Sequence, residues 1–167
     1  MLKSTNRIAP CLWFDGQAEQ AAAFYTSIFP NSKIGSICRY TNAGREFHRQ
    51  EPGAVMTVSF VLDGHSFTAL NGGPQFKFTE AISLQVYCDT QEEVDHYWGC
   101  LSADADPNAQ QCGWLKDKFG VSWQVVPRVI DHLLSSGTAS QCDRVMNTLL
   151  AAKKIDIAAL EAAFNEA

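Results

Sequence analysis

Apolar and polar positions along this chain follow two periods, one of two residues and one of between three and four. Alternating or β-branched and aromatic runs predict strands at 8–14, 33–41, 55–62, 65–70 and 82–88, with a later hairpin of 112–116 and 121–126. Helical spacing predicts a helix over 17–29, capped by Asp15, with Ala21, Phe24, Tyr25 and Ile28 inward. Thr90-Gln91-Glu92-Glu93 reads as a capping box opening a second helix to Leu101, with Val94, Tyr97, Trp98 and Leu101 inward. Asp63-Gly64 marks one tight turn, and 117–120 turns the later hairpin. Beyond Pro127 the pattern becomes helical: a short helix at 129–135, one capped by Ser140 and carrying Val145, Met146, Leu149 and Leu150, and one capped by Asp156 and carrying Ile157, Leu160 and Phe164. These tail helices are expected to cover a sheet or a partner.

The first half is echoed by the second. Asp15 aligns with Asp89, Gln17 with Gln91, Glu19 with Glu93 and Phe24 with Trp98; further on, 64–70 aligns with 120–126. Each copy reads βαβββ, the early strand of the second copy falling near Cys112. The polar loop 42–53 makes the first copy the longer one. Two such copies cannot bury their apolar faces alone, so they are expected to pack together and enclose a cavity. The expected architecture is a single α+β domain over 1–167, with module one at 6–76, module two at 80–128 and a C-terminal helical extension at 129–167.

Composition narrows the function classes. The chain has 167 residues, 46% hydrophobic and 19% charged, an ordinary globular balance with enough length to bury a core. A formal charge of −5 supplies no cationic field for nucleic acid or anionic membrane surfaces. The six cysteines form no CxxC pair, and Met1-Leu2-Lys3-Ser4 leads straight into a strand without a targeting segment, so a reducing cytoplasm is expected.

Several stretches carry a resemblance: Pro10-Cys11-Leu12-Trp13-Phe14, Phe24-Tyr25, Leu70-Asn71-Gly72-Gly73-Pro74, Glu80-Ala81-Ile82-Ser83-Leu84, Glu93-Val94-Asp95-His96-Tyr97-Trp98, the long block 112–127, Arg144-Val145-Met146 and Lys154-Ile155-Asp156. With them the chain resembles the PhnB-like family, often labelled demethylubiquinone 3-methyltransferase, within the vicinal-oxygen-chelate superfamily of glyoxalase I, extradiol dioxygenases and bleomycin and fosfomycin resistance proteins. The resemblance implies paired βαβββ modules forming a curved mixed sheet. It also implies homodimers and, in metal-binding members, His and Glu ligands from four strands. Aligning that pattern puts the ligand positions at Ile8, Thr68, Ser83 and Gln124, a set poorly suited to zinc, nickel or iron(II). No metal and no cofactor are expected. The methyltransferase label finds no glycine-rich strand-to-helix turn to hold an adenosyl group.

Strand alternation gives a separate view of the same face. Met56, Val58, Phe60 and Leu62 should be core, as should Ile82, Leu84, Val86 and Cys88, and Val121, Trp123 and Val125. The opposite faces carry Thr57 and Ser59, then Ser83, Gln85 and Tyr87, then Ser122 and Gln124. Together with Thr68 these form the candidate pocket: hydroxyls, amides and a phenol, suited to hydrogen-bonding a small molecule and short of titratable groups for acid–base work. Arg45, His48 and Arg49 are a candidate lid. His65, His96 and His132 read as surface residues, and Cys11 and Cys88 as packing thiols. Trp114 and Trp123 offer a stacking pair for a planar ligand. Three functions follow. The first is binding of a small organic molecule without a metal. The second is a metal-dependent isomerase, lyase or dioxygenase drawing ligands from His48, Glu46 or a partner chain. The third is resistance-type sequestration.

Overall fold

Leu12 and Phe14 alternate with Cys11 and Trp13 along the first strand, and that alternation decides which face the first helix covers. The computed structural model describes residues 7–166, and the chain divides into two compact units, one ending at Phe78 and the other beginning at Thr79. The architecture is mixed α+β, with a four-stranded sheet in the first unit and a three-stranded sheet in the second.

The first unit runs β1 (Cys11–Phe14), α1 (Ala18–Ile28), β2 (Lys33–Arg39), α2 (Arg45–His48), β3 (Val55–Leu62) and β4 (His65–Asn71). Its sheet order is β1-β4-β3-β2, with β1 parallel to β4 and the other pairs antiparallel. Val58, Phe60 and Leu62 are buried on the face that also carries Leu12, Phe14 and Ala69, and α1 supplies Ala18, Ala21, Ala22, Tyr25 and Ile28 to the same core. Tyr25 stacks on Phe60, which stacks on Phe67 at 5.3 Å. The first strand is shorter than the sequence pattern suggests. Pro10 has no N–H for the ladder, pairing starts at Cys11, and Ile8 is 90% exposed.

The cap of α1 also differs from expectation. Gly16 takes φ +87°, which sets Asp15 two residues before the N-cap, Gln17, whose side chain makes no capping bond. The first helical N–H, that of Ala18, donates instead to Oδ1 of Asn71 at 2.9 Å.

The second unit runs β5 (Leu84–Cys88), α3 (Gln91–Leu101), a 3₁₀ turn at Pro107–Ala109, β6 (Trp114–Lys116) and β7 (Ser122–Pro127), then α4 (Val129–Ser136), α5 (Ala139–Ala151) and α6 (Ile157–Asn165). β5 lies parallel to β7, and β6 antiparallel to it. This repeats the β1-β4-β3 arrangement: first and last strands parallel, then an antiparallel neighbour. Gly64 (φ +79°) and Gly120 (φ +87°) occupy corresponding turns. β2 has no counterpart among the described residues of the second unit. Cys112 and Gly113 take φ of +42° and +84°, left-handed values no strand adopts, and the stretch before them is rich in Asp, Ala, Pro and Asn. Ile82 is not core: the ladder begins at Leu84, and Ile82 is 80% exposed.

The tail helices have a core of their own in Ile130, Leu133, Val145, Ile155 and Leu160, with Val126 of β7 packed against it. The N–H groups of Cys112 and Gly113 donate to the carbonyls of Ala152 and Lys153 at 2.7 and 2.8 Å. Gln91, on the first turn of α3, donates to Ile155 O (3.2 Å) and accepts from Ile157 N–H (2.9 Å), and Lys154 pairs with Asp95 at 2.6 Å. The cap of α5 is Thr138 in a full capping box with Gln141, not Ser140, whose hydroxyl accepts from Arg144 (2.9 Å). Asp156 caps α6 as expected.

Candidate functional site

On the first sheet, the face away from α1 places Cys11, Thr68 and Ser59 in one cross-strand row and Trp13, Leu70, Thr57 and Cys38 in the next. Thr57, Ser59 and Thr68 therefore share a face and are half-buried on it. Ser59 is committed to the edge: its hydroxyl accepts from Ser36 N–H (2.7 Å) and lies 3.0 Å from the Ser36 hydroxyl, where the β2 pairing slips register. Trp13 ends this face. Its Nε1 donates to Gly73 O (2.7 Å), its ring meets the edge of Phe76 at 4.9 Å, and a Cβ on Gly72 would lie 2.2 Å from the indole. The Asn71-Gly72-Gly73-Pro74 motif is thus a seat for Trp13. Asn71 joins it to the rest of the unit, accepting from Ala18 N–H and donating through Nδ2 to Val55 O at 3.0 Å.

The loop residues Arg45, His48 and Arg49 lie on and just after α2. His48 Nδ1 accepts from Gln50 N–H (3.0 Å), Nε2 is 3.2 Å from Ala43 O, and the ring packs on Tyr40 at 4.5 Å. The ring is therefore the Nε2–H tautomer with both nitrogens used, a poor metal ligand. Arg45 pairs with Glu51 at 2.5 Å.

On the second sheet, Ser83, Gln85 and Tyr87 stand beside Gln124 in a continuous chain of hydrogen bonds. Tyr87 OH donates to Gln85 Oε1 (2.8 Å), Gln85 Nε2 to Gln124 Oε1 (3.3 Å), and Gln124 Nε2 to Ser83 Oγ (2.6 Å). Each carboxamide keeps one N–H and one lone-pair direction unused within the chain. Gln85 and Tyr87 are exposed and Ser83 and Gln124 half-buried. Ser122 departs from its neighbours: it is 2% exposed and its hydroxyl has no partner among the described residues. Trp114 pairs with Gln124 and shares this face, whereas Trp123 turns to the core and donates Nε1 to Asp117 at 2.8 Å. The two tryptophans therefore do not form one stacking pair.

The block 112–127 is architectural. Asp117, 4% exposed, accepts from the N–H groups of Phe119 (2.8 Å) and Val121 (3.0 Å) as well as from Trp123. Gly113 leaves room for Ile155, which a Cβ would approach to 2.7 Å. Burial pushes the Cys88 thiol up to about 12, with the Glu93 and Asp89 carboxylates adding to the rise, so it is no nucleophile near neutral pH. Partial desolvation raises Cys11 as well. Among the described residues, no three His, Cys, Asp or Glu side chains gather as a metal site.

The family description 3-demethylubiquinone-9 3-methyltransferase matches residues 6–126. A PhnB protein of Bacillus cereus is 38% identical, with 73% of this chain and 99% of that one covered and a TM-score of 0.61. The chain belongs to the PhnB-like family. A Pseudomonas aeruginosa protein shares the fold at 17% identity, with 74% and 98% covered and a TM-score of 0.56. A comparison with curated proteins finds no match. The family match stops just before α4, so the tail motifs around Arg144 and Lys154 lie outside it.

Proposed function

We propose that this PhnB-like chain binds a small organic molecule on its polar sheet faces and does so without a metal centre. The observation that supports this most strongly is the Tyr87–Gln85–Gln124–Ser83 row, a neutral hydrogen-bonding surface in which each carboxamide keeps a donor and an acceptor for a ligand. Thr57, Thr68 and Trp13 give the first sheet a comparable but less connected face, and Arg45, His48 and Arg49 border the loop after β2.

The metal-free part rests on side-chain chemistry. Ile8 has no donor atom, Thr68 is a neutral hydroxyl, and Ser83 and Gln124 are bonded to each other. Transfer of a methyl group from an adenosyl donor, as in the family's description, finds no support in Asn71-Gly72-Gly73-Pro74, whose glycines seat Trp13 and lead into no helix. Apolar side chains of the edge strand β2, Ile34 and Ile37, are exposed and suit a homodimer contact. Six unpaired cysteines suit a reducing compartment such as the cytoplasm.

The reading is tested by screening small polar molecules for a rise in melting temperature of the purified protein and of Gln85→Leu/Gln124→Leu. Hits stabilise the native chain and lose that effect in the double variant. Hits that stabilise both proteins equally contradict the assignment of the face. Elemental analysis should find well under one transition metal per chain, and one tightly held metal per chain overturns the metal-free reading.

A further inference from the structure

The polar row on the second sheet ends in a charged group. At the carboxyl ends of β5 and β7 the guanidinium of Arg128 lies over the exposed Tyr87 ring, 4.8 Å from its centre. Asp89 holds its Nε at 3.3 Å, and the two Nη groups make no hydrogen bond among the described residues. Stacking and the Nε contact set the plane of the fork, leaving the Nη donors as an oriented pair beside the row, with no acceptor among the described residues. We propose that the molecule bound on this face is a small organic acid. Its carboxylate sits on the Nη pair of Arg128, and its hydrogen-bonding body lies on the free amide groups of Gln85 and Gln124. The inference rests on the binding role proposed above and names the ligand class.

The charge balance favours a monoanion. Asp89 already offsets one side of the guanidinium, and Glu93, whose carboxylate accepts Asp89 N–H at 2.7 Å, adds a second negative group nearby. A dianionic phosphoryl group would meet two carboxylates around a single cation, whereas a carboxylate matches the planar fork with one charge. Two residues along β5, from Tyr87 to Gln85, span about 7 Å. A short acylated amino acid carries a carboxylate and an amide and fits within that span.

N-acetylglycine and N-acetylglycinamide differ only at the end that would meet Arg128, and both carry an amide for the glutamine pair. Each is titrated at low salt into the full chain, and dissociation constants are read from the side-chain amide signals of Gln85 and Gln124. The acid is expected to bind about tenfold more tightly than the amide, the scale of one charge-assisted hydrogen bond. Arg128→Met, which keeps the stem over Tyr87, is expected to bring the two constants within about twofold while amide binding and melting temperature hold. Asp89→Asn is expected to tighten the acid alone. Equal binding in the native chain, or a preference that survives Arg128→Met, overturns the inference but leaves neutral binding standing. If neither compound moves the glutamine amides, the binding role of the face falls with it.

Discussion

Asn71 ties three parts of the first unit together. It supplies the acceptor for the first N–H of α1, a donor for the Val55 carbonyl and, through its own carbonyl, the partner of Tyr40 OH at 2.5 Å. Asn71→Ala strands a buried N–H and a part-buried C=O, and should cost about 2 kcal/mol in urea unfolding. A loss below about 0.5 kcal/mol would show that neither bond matters. Gly72→Ala drives a methyl group into the Trp13 ring, so the indole must leave Gly73 O. Destabilisation of about 1–3 kcal/mol and a shifted Trp emission are expected. The sequence marks this motif as a break in the strand pattern and nothing more. That Asn71 caps a helix 53 residues earlier is a tertiary contact with no local pattern. The burial of Ser122 was hidden for the same reason: alternation assigns a face, not what covers it.

At the scale of elements, local rules read well where the signal was local. Gly64 and Gly120 turn their hairpins with positive φ, Thr90 accepts from Glu93 N–H, and Val58 and Phe60 turn to the core. They fail where backbone partners come from elsewhere. The stretch 112–113 reads as strand but is bent by its bonds to Ala152 and Lys153, and α5 takes Thr138 as its N-cap because Thr138 and Gln141 can cap reciprocally. The tail is fastened to α3 partly by charge. Lys154 holds Asp95 below the ordinary aspartate value, chiefly through their hydrogen bond, with Gln91 adding to it. Because the folded pKa is depressed, this contribution is complete above the unfolded aspartate value and is lost as pH falls through the folded one. Hydrogen exchange of α6 amides should therefore quicken on acidification into that window relative to those of α1. Asp95→Asn should flatten the difference, and an unchanged profile in that variant contradicts the role of the pair.

Across the whole molecule the same strand arrangement, a parallel pair and then an antiparallel neighbour, occurs twice, and the positions that the resemblance aligns with metal ligands, Ile8, Thr68, Ser83 and Gln124, carry neutral side chains. Family-specific residues such as Asn71, Gly113 and Asp117 shape turns and seats, so family membership was legible in the sequence even though the chemistry was not. The polar faces of the two sheets were legible as a class from strand alternation. The linkage of Tyr87, Gln85, Gln124 and Ser83 into one hydrogen-bonded row, and Arg128 at its end, emerge only from the pairing of β5 with β7. A homodimer predicts a light-scattering mass of twice 18.4 kDa, and a mass near one chain refutes it.

The most direct measurement is a ¹⁵N–¹H titration following the side-chain amides of Gln85 and Gln124 as the small molecules that stabilise the native protein are added. Saturable shifts of both glutamines in the native chain, with the Gln85 shift lost in Gln124→Leu, are the predicted result. Binding that leaves both amides unmoved would place the ligand elsewhere and contradict the account.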